Sequence, residues 1–286
     1  MHVHSLNSGM CTLPVLRRLC RESYSPPQDL YFALRRRGLD LVTFTDHDSI
    51  DGAEAVRSRR DFFLSEEVTC RAPSGTEVHI GVYGMEERHH VGLQSRRNDL
   101  PRLAAYVSEQ RLFATVNHPF SALTGRRCAE DFEGFNLFAG CEVLNAHLSP
   151  SHNRRAEEFA GRNFQVGVGG SDAHTLESAG SAWTEVPGAR NKEEFLSGLK
   201  RGHGRVAGHP GTYLKLTSDV LRIARSLMAE RPWTCVLAPL LIAAPAFTLA
   251  NFLAERAFAK KWGRLILEGR TPEFDTRATQ SQESVA

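Results

Sequence analysis

The sequence lacks the features that mark several large classes of protein. Its six cysteines form no Cys-x-x-Cys pair, which favours free thiols in a reducing, cytosolic setting. The first residues contain no apolar stretch of the signal-peptide type, so export is not expected, and whether the native start lies upstream of Met1 stays open. There is no P-loop, no Gly-x-Gly-x-x-Gly and no Gly-x-Ser-x-Gly motif, so no cofactor other than metal ions is implied.

Charge and length limit the expected partners and the number of domains. A formal net charge of +2 over 286 residues is too small to require nucleic acid or an anionic membrane as a partner. No basic stripe with interleaved aromatic residues supports a long nucleic-acid track. A chain of this length holds one large domain, or one domain with an appendage.

Short apolar runs alternate with helix-like stretches over most of the chain before Gly211. The predicted strands are 41–45, 78–83, 112–116, 141–145 and 166–170. The predicted helices are one that closes near 35–40 with Gly38 at its C′ position, one over 100–110 and one around 154–161. This alternation predicts an α/β fold with a largely parallel sheet or barrel, where sites gather at the carboxyl ends of the strands.

Potential metal ligands stand at the ends of these runs. His2 and His4 are two residues apart in a strand-like segment, which places both imidazoles on one face. Further candidates follow in the order His47, Glu67, His79, His118, Asp172 and His174. Histidines combined with carboxylates suit zinc, manganese or iron, and not a purely oxygen-ligated magnesium or calcium site.

In their order, these motifs resemble the PHP family, named for polymerase and histidinol phosphatase domains. They are His-x-His, Thr-Asp-His-Asp, a glutamate, a histidine, His-Pro and Gly-Ser-Asp-Ala-His. The resemblance covers roughly residues 1–210. It implies a distorted seven-stranded (β/α) barrel of PHP type with two or three divalent metal ions (zinc, manganese or iron) at its C-terminal face.

The resemblance also implies how the ligands are shared. The first metal is expected between His2, His4, Glu67 and Asp172. Glu67 is expected to bridge to a second metal at His79 and His118, and a third is expected at His47 and His174.

One segment departs from the family pattern. Many members carry an acidic or histidine ligand shortly after the first pair, whereas residues 5–11 contain neither Asp nor His. Either Asp48, Cys11 or water takes that place, or the site is dinuclear.

Several assignments have a competitor. Glu66 competes with Glu67, and the family's Gly-x-Glu-Val-Thr position favours Glu67. Asp46 is the candidate for a catalytic proton-handling role, with orientation of an imidazole or capping of a loop as alternatives. The remaining histidines are interpreted as structural or exposed: His89, His90, His147, His152, His203 and His209.

Substrate contacts are predicted at Asn145 and Arg154. An arginine here could clamp a phosphate bidentately. Arg155, Arg126 and Arg127 compete for that role, and a solvated basic helix face is the alternative for each.

The predicted function is hydrolysis of a phosphoester by metal-activated water, since metal ions offset the charge of a phosphate ester. The expected substrate is a small phosphorylated metabolite, a nucleotide or a nucleic-acid end. The alternative is a non-catalytic or regulatory metal-binding barrel tethered to a membrane or partner by its C-terminal segment. Hydrolysis of a C–N bond by the same chemistry is a third option.

The character of the chain changes after residue 210. We expect a PHP domain over 1–210, a helical apolar appendage over 211–270 and a polar, disordered tail over 271–286.

Residues 232–254 carry no charge, and about twenty apolar residues suffice to cross a bilayer. Pro239, Pro245 and Asn251 argue for the alternative, a helix folded onto the domain or a partner. The protein is therefore expected in the cytoplasm, with membrane or partner contact through 232–254.

Overall fold

A computed structural model of the protein describes residues 1–11, 16–122 and 125–269. Its main sheet has five strands in the order β1-β2-β3-β4-β5. The strands are β1 Ser65–Arg71, β2 Glu77–Tyr83, β3 Phe113–Val116, β4 Gly140–Asn145 and β5 Val166–Gly170. The helices beside them are α1 Pro27–Arg36, α2 Glu87–Gln94, α3 Leu100–Glu109, α4 Ala129–Phe135 and α5 Pro150–Arg162. The α/β prediction is confirmed, as are the predicted strands β2 to β5.

The sheet is mixed, so the predicted largely parallel arrangement is wrong for half of it. β1, β2 and β3 pair antiparallel, whereas β3, β4 and β5 pair parallel. The tight turn at 72–76 brings β2 straight back along β1, because parallel neighbours would need a long crossover connection. α4 and α5 supply such crossovers for the parallel half.

Two extended segments lie between β5 and β1. Val3 forms an isolated parallel bridge with Ala173, and His47 forms one with Glu67. The backbone N–H of Thr45 donates to the carbonyl of Val3 at 2.9 Å. These are single bridges, so the predicted strand at 41–45 is not a regular strand, and in the described residues the sheet does not close as a regular seven-stranded barrel.

The segments that carry the first histidines rest on α1. Leu30 and Leu34 of α1 are buried in one cluster with Val3, Val42 and Phe44. Burying a large apolar side chain contributes about 1.5–3 kcal/mol, so this packing holds both segments against the sheet. The helix ends as predicted, with Gly38 at a φ of +83°, where an L side chain would be strained.

The remaining strands and helices follow β5 in the chain. It consists of β6 Ala182–Glu185, α6 Lys192–Lys200, β7 Arg205–Gly208, α7 Tyr213–Glu230, a 3₁₀ segment Pro232–Ala243 and α8 Ala244–Glu268. Ala259 and Leu267 of α8 belong to the largest buried cluster, and Trp262 packs on Phe132 with ring centroids 5.6 Å apart. The apolar appendage is therefore anchored in the core. The predicted boundary at 210 stays a prediction, and the predicted polar tail over 271–286 lies outside the described residues.

Candidate metal centre

The histidine pair at the start of the chain points into the molecule. Val3 packs in the apolar cluster, and His2 and His4 on either side of it are 1% exposed. The side-chain alternation of extended backbone produces this division. The two Nε2 atoms lie 3.0 Å apart, so both rings converge on one point.

Glu67 lies at the centre of the cluster. Its Oε2 is 3.0 Å from Nε2 of His2 and 3.4 Å from Nε2 of His47. Its Oε1 is 3.5 Å from Nε2 of His118 and 3.6 Å from Nδ1 of His79. Glu67 is fully buried, and its two oxygens face two different sets of imidazoles.

The neighbouring Glu66 projects from the opposite face of β1, as alternation in a strand requires. Its carboxylate contacts His90 and Gln94 of α2. Of the two competing glutamates, Glu67 is therefore the one placed among the predicted ligands.

His118 and Asp172 are the second residues after the ends of β3 and β5, which run parallel to each other. Both have left-handed backbone conformations, with φ of +32° and +47°. Such conformations cost of order 1–3 kcal/mol and are concentrated at functional sites. Asp172 Oδ1 lies 3.4 Å from Nε2 of His2 and 3.3 Å from Nε2 of His4. Nδ1 of His118 is buried without a hydrogen-bond partner in the described structure.

Glu22 occupies the position that sequence reasoning left open. Its Oε1 lies 3.3 Å from Nε2 of His47 and 3.5 Å from Nε2 of His174. Asp48 is turned away, towards the backbone N–H of Thr69 at 3.0 Å.

Nothing in the local sequence marks Glu22. It lies in an irregular loop, which reaches the site through a hydrogen bond from its N–H to the carbonyl of Gly9 at 3.1 Å. Cys11, the other proposed substitute, belongs to none of the donor groups that the described residues form.

Four overlapping groups of donors are suited to divalent cations. They are His2, Glu67 and His118; His2, His4 and Asp172; His4, Glu22 and His174; and His4, His47 and Glu67. Within each group the donor atoms lie within 4.8 Å of one another. Imidazole nitrogens and carboxylate oxygens in such mixtures match zinc, manganese or iron. His79 lies at the edge, with its ring 5.1 Å from that of His118, and is in none of the four groups.

The electrostatics of the cluster favour ionised carboxylates. Burial alone raises the pKa of Glu67 and Asp172, but the surrounding imidazoles outweigh it and hold both pKa values well below their usual range. The pKa of Glu22 is lowered in the same way by His47 and His174, against the effect of burial. Burial lowers the pKa of His4 to about 4, which leaves a neutral imidazole. The pKa of His47 moves the other way: burial alone would lower it, but Glu22 and Glu67 raise it to about 10. Metal ions bind ionised carboxylates and deprotonated imidazoles, so a cation bound at such a histidine would displace a proton.

A ring of buried polar side chains orients the candidate ligands. Glu142 contacts Nδ1 of His2 at 2.8 Å, and Ser8 Oγ contacts Nδ1 of His4 at 2.9 Å. The amide of Asn117 donates to Glu67 Oε1 at 2.8 Å. Sequence reasoning missed the role of Glu142. A charged residue inside the apolar run 141–145 was the available signal.

Asp46 lies behind the first histidine pair. It accepts hydrogen bonds from the N–H and the hydroxyl of Ser5, at 2.5 and 2.6 Å. Burial raises the pKa of this carboxyl to about 6, although Ser5 opposes the shift. In the described residues both contacts are to Ser5 and none is to an imidazole, so they fit the alternative that Asp46 caps a loop, and the catalytic role stays a prediction.

Of the two predicted substrate contacts, one is buried and the other is exposed. Asn145 is buried, and its amide donates to Glu142 Oε2 at 2.9 Å and to Asp172 Oδ2 at 3.0 Å. Arg154 is exposed on α5. No hydrogen bond or ion pair within the described ranges joins Arg154 to the cluster.

Of the histidines interpreted as structural, His147 comes nearest to the site. Its ring centroid lies 5.9 Å from that of His174. His152 is buried and contacts Ser149 Oγ at 2.9 Å, and His90 contacts Glu66.

Comparison with known proteins finds one matching family model and several structures of similar fold. Residues 150–203 match the family model described as PHP-associated. The fold is similar to that of a two-domain protein from Bacteroides vulgatus containing a predicted PHP-like metal-dependent phosphoesterase, with a TM-score of 0.55 and 16% identity over 73% of this chain and 63% of that one. It is also similar to PsfC from Pseudomonas syringae, with a TM-score of 0.54 and 20% identity over 80% of this chain and 96% of that one.

A third similar structure is the lesion-specific endonuclease PfuEndoQ from Pyrococcus furiosus, with a TM-score of 0.50 and 14% identity over 72% of this chain and 56% of that one. The chain thus spans less than two thirds of the Bacteroides protein and of the Pyrococcus endonuclease. The search of curated proteins found no match. At these identities the likeness to solved structures establishes the fold.

Proposed function

The chain belongs to the PHP domain family, and from this premise we propose that it hydrolyses phosphoesters with two or three divalent metal ions. The observation that carries the proposal is the position of Glu67, whose two buried oxygens face separate sets of imidazoles. A carboxylate shared between cations keeps them close despite their repulsion. Close pairs of cations are typical of enzymes that act on phosphate esters.

We assign the donors to the metal positions by their contacts. His2, His4, Asp172 and Glu67 would hold the first cation. Glu67 would be shared with a second cation at His118 and His79. His47, His174 and Glu22 would hold the third. This last set supports a trinuclear site over a dinuclear one, because Glu22 supplies the carboxylate that residues 5–11 lack. Bound cations would polarise a phosphoryl oxygen and lower the pKa of coordinated water.

The chain's own side chains have three tasks in this proposal. Glu142 holds His2 with Nε2 directed at the centre, and Asn145 holds Asp172. Asp46, with a pKa of about 6, can gain or lose a proton near neutral pH, so we retain it as the proton-handling candidate. We retain Arg154 as a candidate phosphate contact. It is exposed, and no hydrogen bond or ion pair holds its side chain in the described structure, which would allow it to reach a bound substrate.

We also propose the finer features of the fold and substrate. The bridges of Val3 to Ala173 and of His47 to Glu67 would make residues 2–4 and 42–48 the two remaining members of a distorted seven-stranded barrel around the site. A small phosphorylated metabolite or nucleotide is the favoured substrate, with a nucleic-acid end as the next candidate. The protein is proposed to act in the cytoplasm.

The test is a phosphoester panel with metal-loaded protein. Full-length protein supplied with manganese, zinc or iron is expected to hydrolyse p-nitrophenyl phosphate esters or a nucleotide, and His174→Ala is expected to lose turnover. His209→Ala is the control, because this histidine is exposed and outside the cluster. Protein that binds metal but is inert across the panel would contradict the proposal. That result would favour the alternative of a non-catalytic, tethered metal-binding protein.

A further inference from the structure

The apolar segment near the C-terminus has an inverted arrangement of side chains. Among residues 232–254, the polar Thr234 and Thr248 are at most 1% exposed, whereas Val236 and Ile242 are 75% and 90% exposed. A soluble helix places its polar residues outward and its apolar ones inward. The reversed order indicates a surface whose surroundings are apolar.

The large apolar side chains that this segment exposes are here called the apolar face. They are Trp233, Val236, Leu240, Ile242, Phe247, Leu249 and Leu253. By length and composition alone, residues 232–268 are apolar enough to cross a membrane, and only 11% of their most apolar part is buried. A monomeric soluble protein rarely exposes so many large apolar side chains in one segment without a partner.

Both ends of the segment are fixed to the protein body. At the start, Glu230 pairs with Arg21 at 2.8 Å. At the end, the buried Glu255 accepts a hydrogen bond from the N–H of Ala122 at 2.9 Å. A single crossing of a bilayer would have to place these two ends on opposite sides of the membrane.

The middle of the segment is fixed as well. Thr248 contacts Thr217 of α7 at 2.7 Å, and the hydroxyl of Tyr213 donates to the carbonyl of Pro245 at 3.0 Å. α7 is about 27 Å long, and the 3₁₀ segment returns alongside it over about 24 Å. The segment therefore lies along α7, and crossing a bilayer would require it to detach.

The charges beside the apolar face have one predominant sign. Basic residues between 220 and 264 are Arg222, Arg225, Arg231, Arg256, Lys260, Lys261 and Arg264. The acidic residues of this stretch are Glu230 and Glu255, and Asp219 and Glu268 lie just outside it. Glu255 is buried in its bonds to the protein and Asp219 pairs with Arg222, so the basic residues remain in excess. An excess of basic residues beside an exposed apolar face is the pattern of segments that lie in anionic lipid interfaces. A second copy of the same face would bring like charges together.

We propose that the apolar face binds the surface of an anionic lipid bilayer, with residues 232–254 lying in the interface without spanning it. The apolar side chains enter the boundary between headgroups and acyl chains. The flanking lysines and arginines contact lipid phosphates. This mode keeps α8 on α5, so the metal centre stays intact while the protein is bound.

The test is sedimentation of the full-length protein with vesicles. Binding to vesicles of phosphatidylcholine with phosphatidylglycerol is expected, with weaker binding to phosphatidylcholine alone and at high salt. Ile242→Glu and Leu240→Glu are expected to lower binding at least about tenfold, since a charge in the apolar region costs more than 1.4 kcal/mol. Val91→Glu and Phe164→Glu are matched controls, because these apolar residues are also highly exposed but lie elsewhere.

Three results would overturn the proposal. One is folded protein that binds neither kind of vesicle. The second is a concentration-dependent dimer in analytical ultracentrifugation that Ile242→Glu abolishes, which would assign the face to a second copy of the chain. The third concerns the depth of Trp233 in the bilayer. Its own fluorescence is the difference between wild type and Trp233→Phe, and we expect lipids brominated near the headgroup to quench this fluorescence best. Stronger quenching from the bilayer centre would indicate a spanning segment.

Discussion

The carboxylate of Glu142 lies 2.8 Å from Nδ1 of His2, although the two residues are 140 positions apart in the chain. Its second oxygen accepts hydrogen bonds from the N–H of His118 at 3.1 Å and from the amide of Asn145 at 2.9 Å. One buried carboxylate thus joins the residues that follow β3, the end of β4 and the first residues of the chain. A carboxylate on the outer nitrogen of a ligating histidine fixes its tautomer and ring orientation.

Glu142→Gln is therefore expected to lower metal affinity or turnover by roughly 10–100-fold. Glutamine can still accept from the His118 N–H, but it no longer provides a negative charge beside the imidazole of His2. Metal affinity is measured by competition with a chromogenic chelator. Glu142→Asp should recover part of the loss, and Glu133→Gln, an exposed change on α4, should have no effect. A Gln variant with wild-type affinity and pH profile would contradict this role.

Glu22→Gln is expected to change the number of bound metal ions. Its carboxylate is the acidic donor beside His47 and His174, so its loss should remove about one metal equivalent per chain and leave the ions at Glu67 in place. Metal content is measured by mass spectrometry after gel filtration. Glu54→Gln, an exposed change, is the matched control. Unchanged stoichiometry in Glu22→Gln would contradict a ligand role for Glu22.

Glu255→Ala is expected to lower the free energy of unfolding by about 1–3 kcal/mol, because it leaves the Ala122 N–H without its acceptor. Glu255 also contacts Nε2 of the buried His152 at 3.3 Å, so two polar groups depend on it. Urea denaturation measures the change. The exposed substitution Glu157→Ala on α5 should stay within about 0.5 kcal/mol of wild type. An equal effect of the two substitutions would show that Glu255 does not anchor α8.

His90 is expected to make stability depend on pH. Its hydrogen bond to Glu66 raises its pKa above the ordinary value of 6.5, although burial opposes the shift. A raised histidine pKa stabilises the folded state fully below the unfolded pKa, and this contribution is lost as pH rises through the folded pKa. The urea midpoint of wild type should therefore fall more steeply than that of His90→Gln as the pH rises above the ordinary histidine pKa of 6.5. Parallel curves for the two proteins would contradict the prediction.

Local patterns predicted much of the fold and many candidate ligands. The alternation of residues in 78–83 and the apolar run 166–170 are properties of single strands, and both segments are strands in the structure. The interval between His2 and His4 places two imidazoles on one face of any extended segment. The choice of Glu67 over Glu66 rests on the family's Gly-x-Glu-Val-Thr position, because alternation shows only that neighbours in a strand face opposite sides.

Residues outside regular elements could not be predicted in this way. Glu22 lies in an irregular loop and reaches the site through backbone hydrogen bonds to residues after the first histidine pair. The mixed direction of the sheet was also missed, since an apolar run does not reveal which way its neighbour points. The isolated bridges of Val3 and His47 are single backbone contacts between distant segments. No periodic pattern in the sequence predicts such contacts.

The sequence by itself indicated a set of candidate metal ligands and determined which stretch of chain was apolar, because both rest on residue type and short-range spacing. Only the tertiary structure decided that Glu22 joins His174, that Glu142 supports His2, and that the threonines of residues 232–254 face inward while Ile242 faces outward. The physical reason is the same for each. These relations connect segments far apart in the chain, and their geometry exists only once the core has packed.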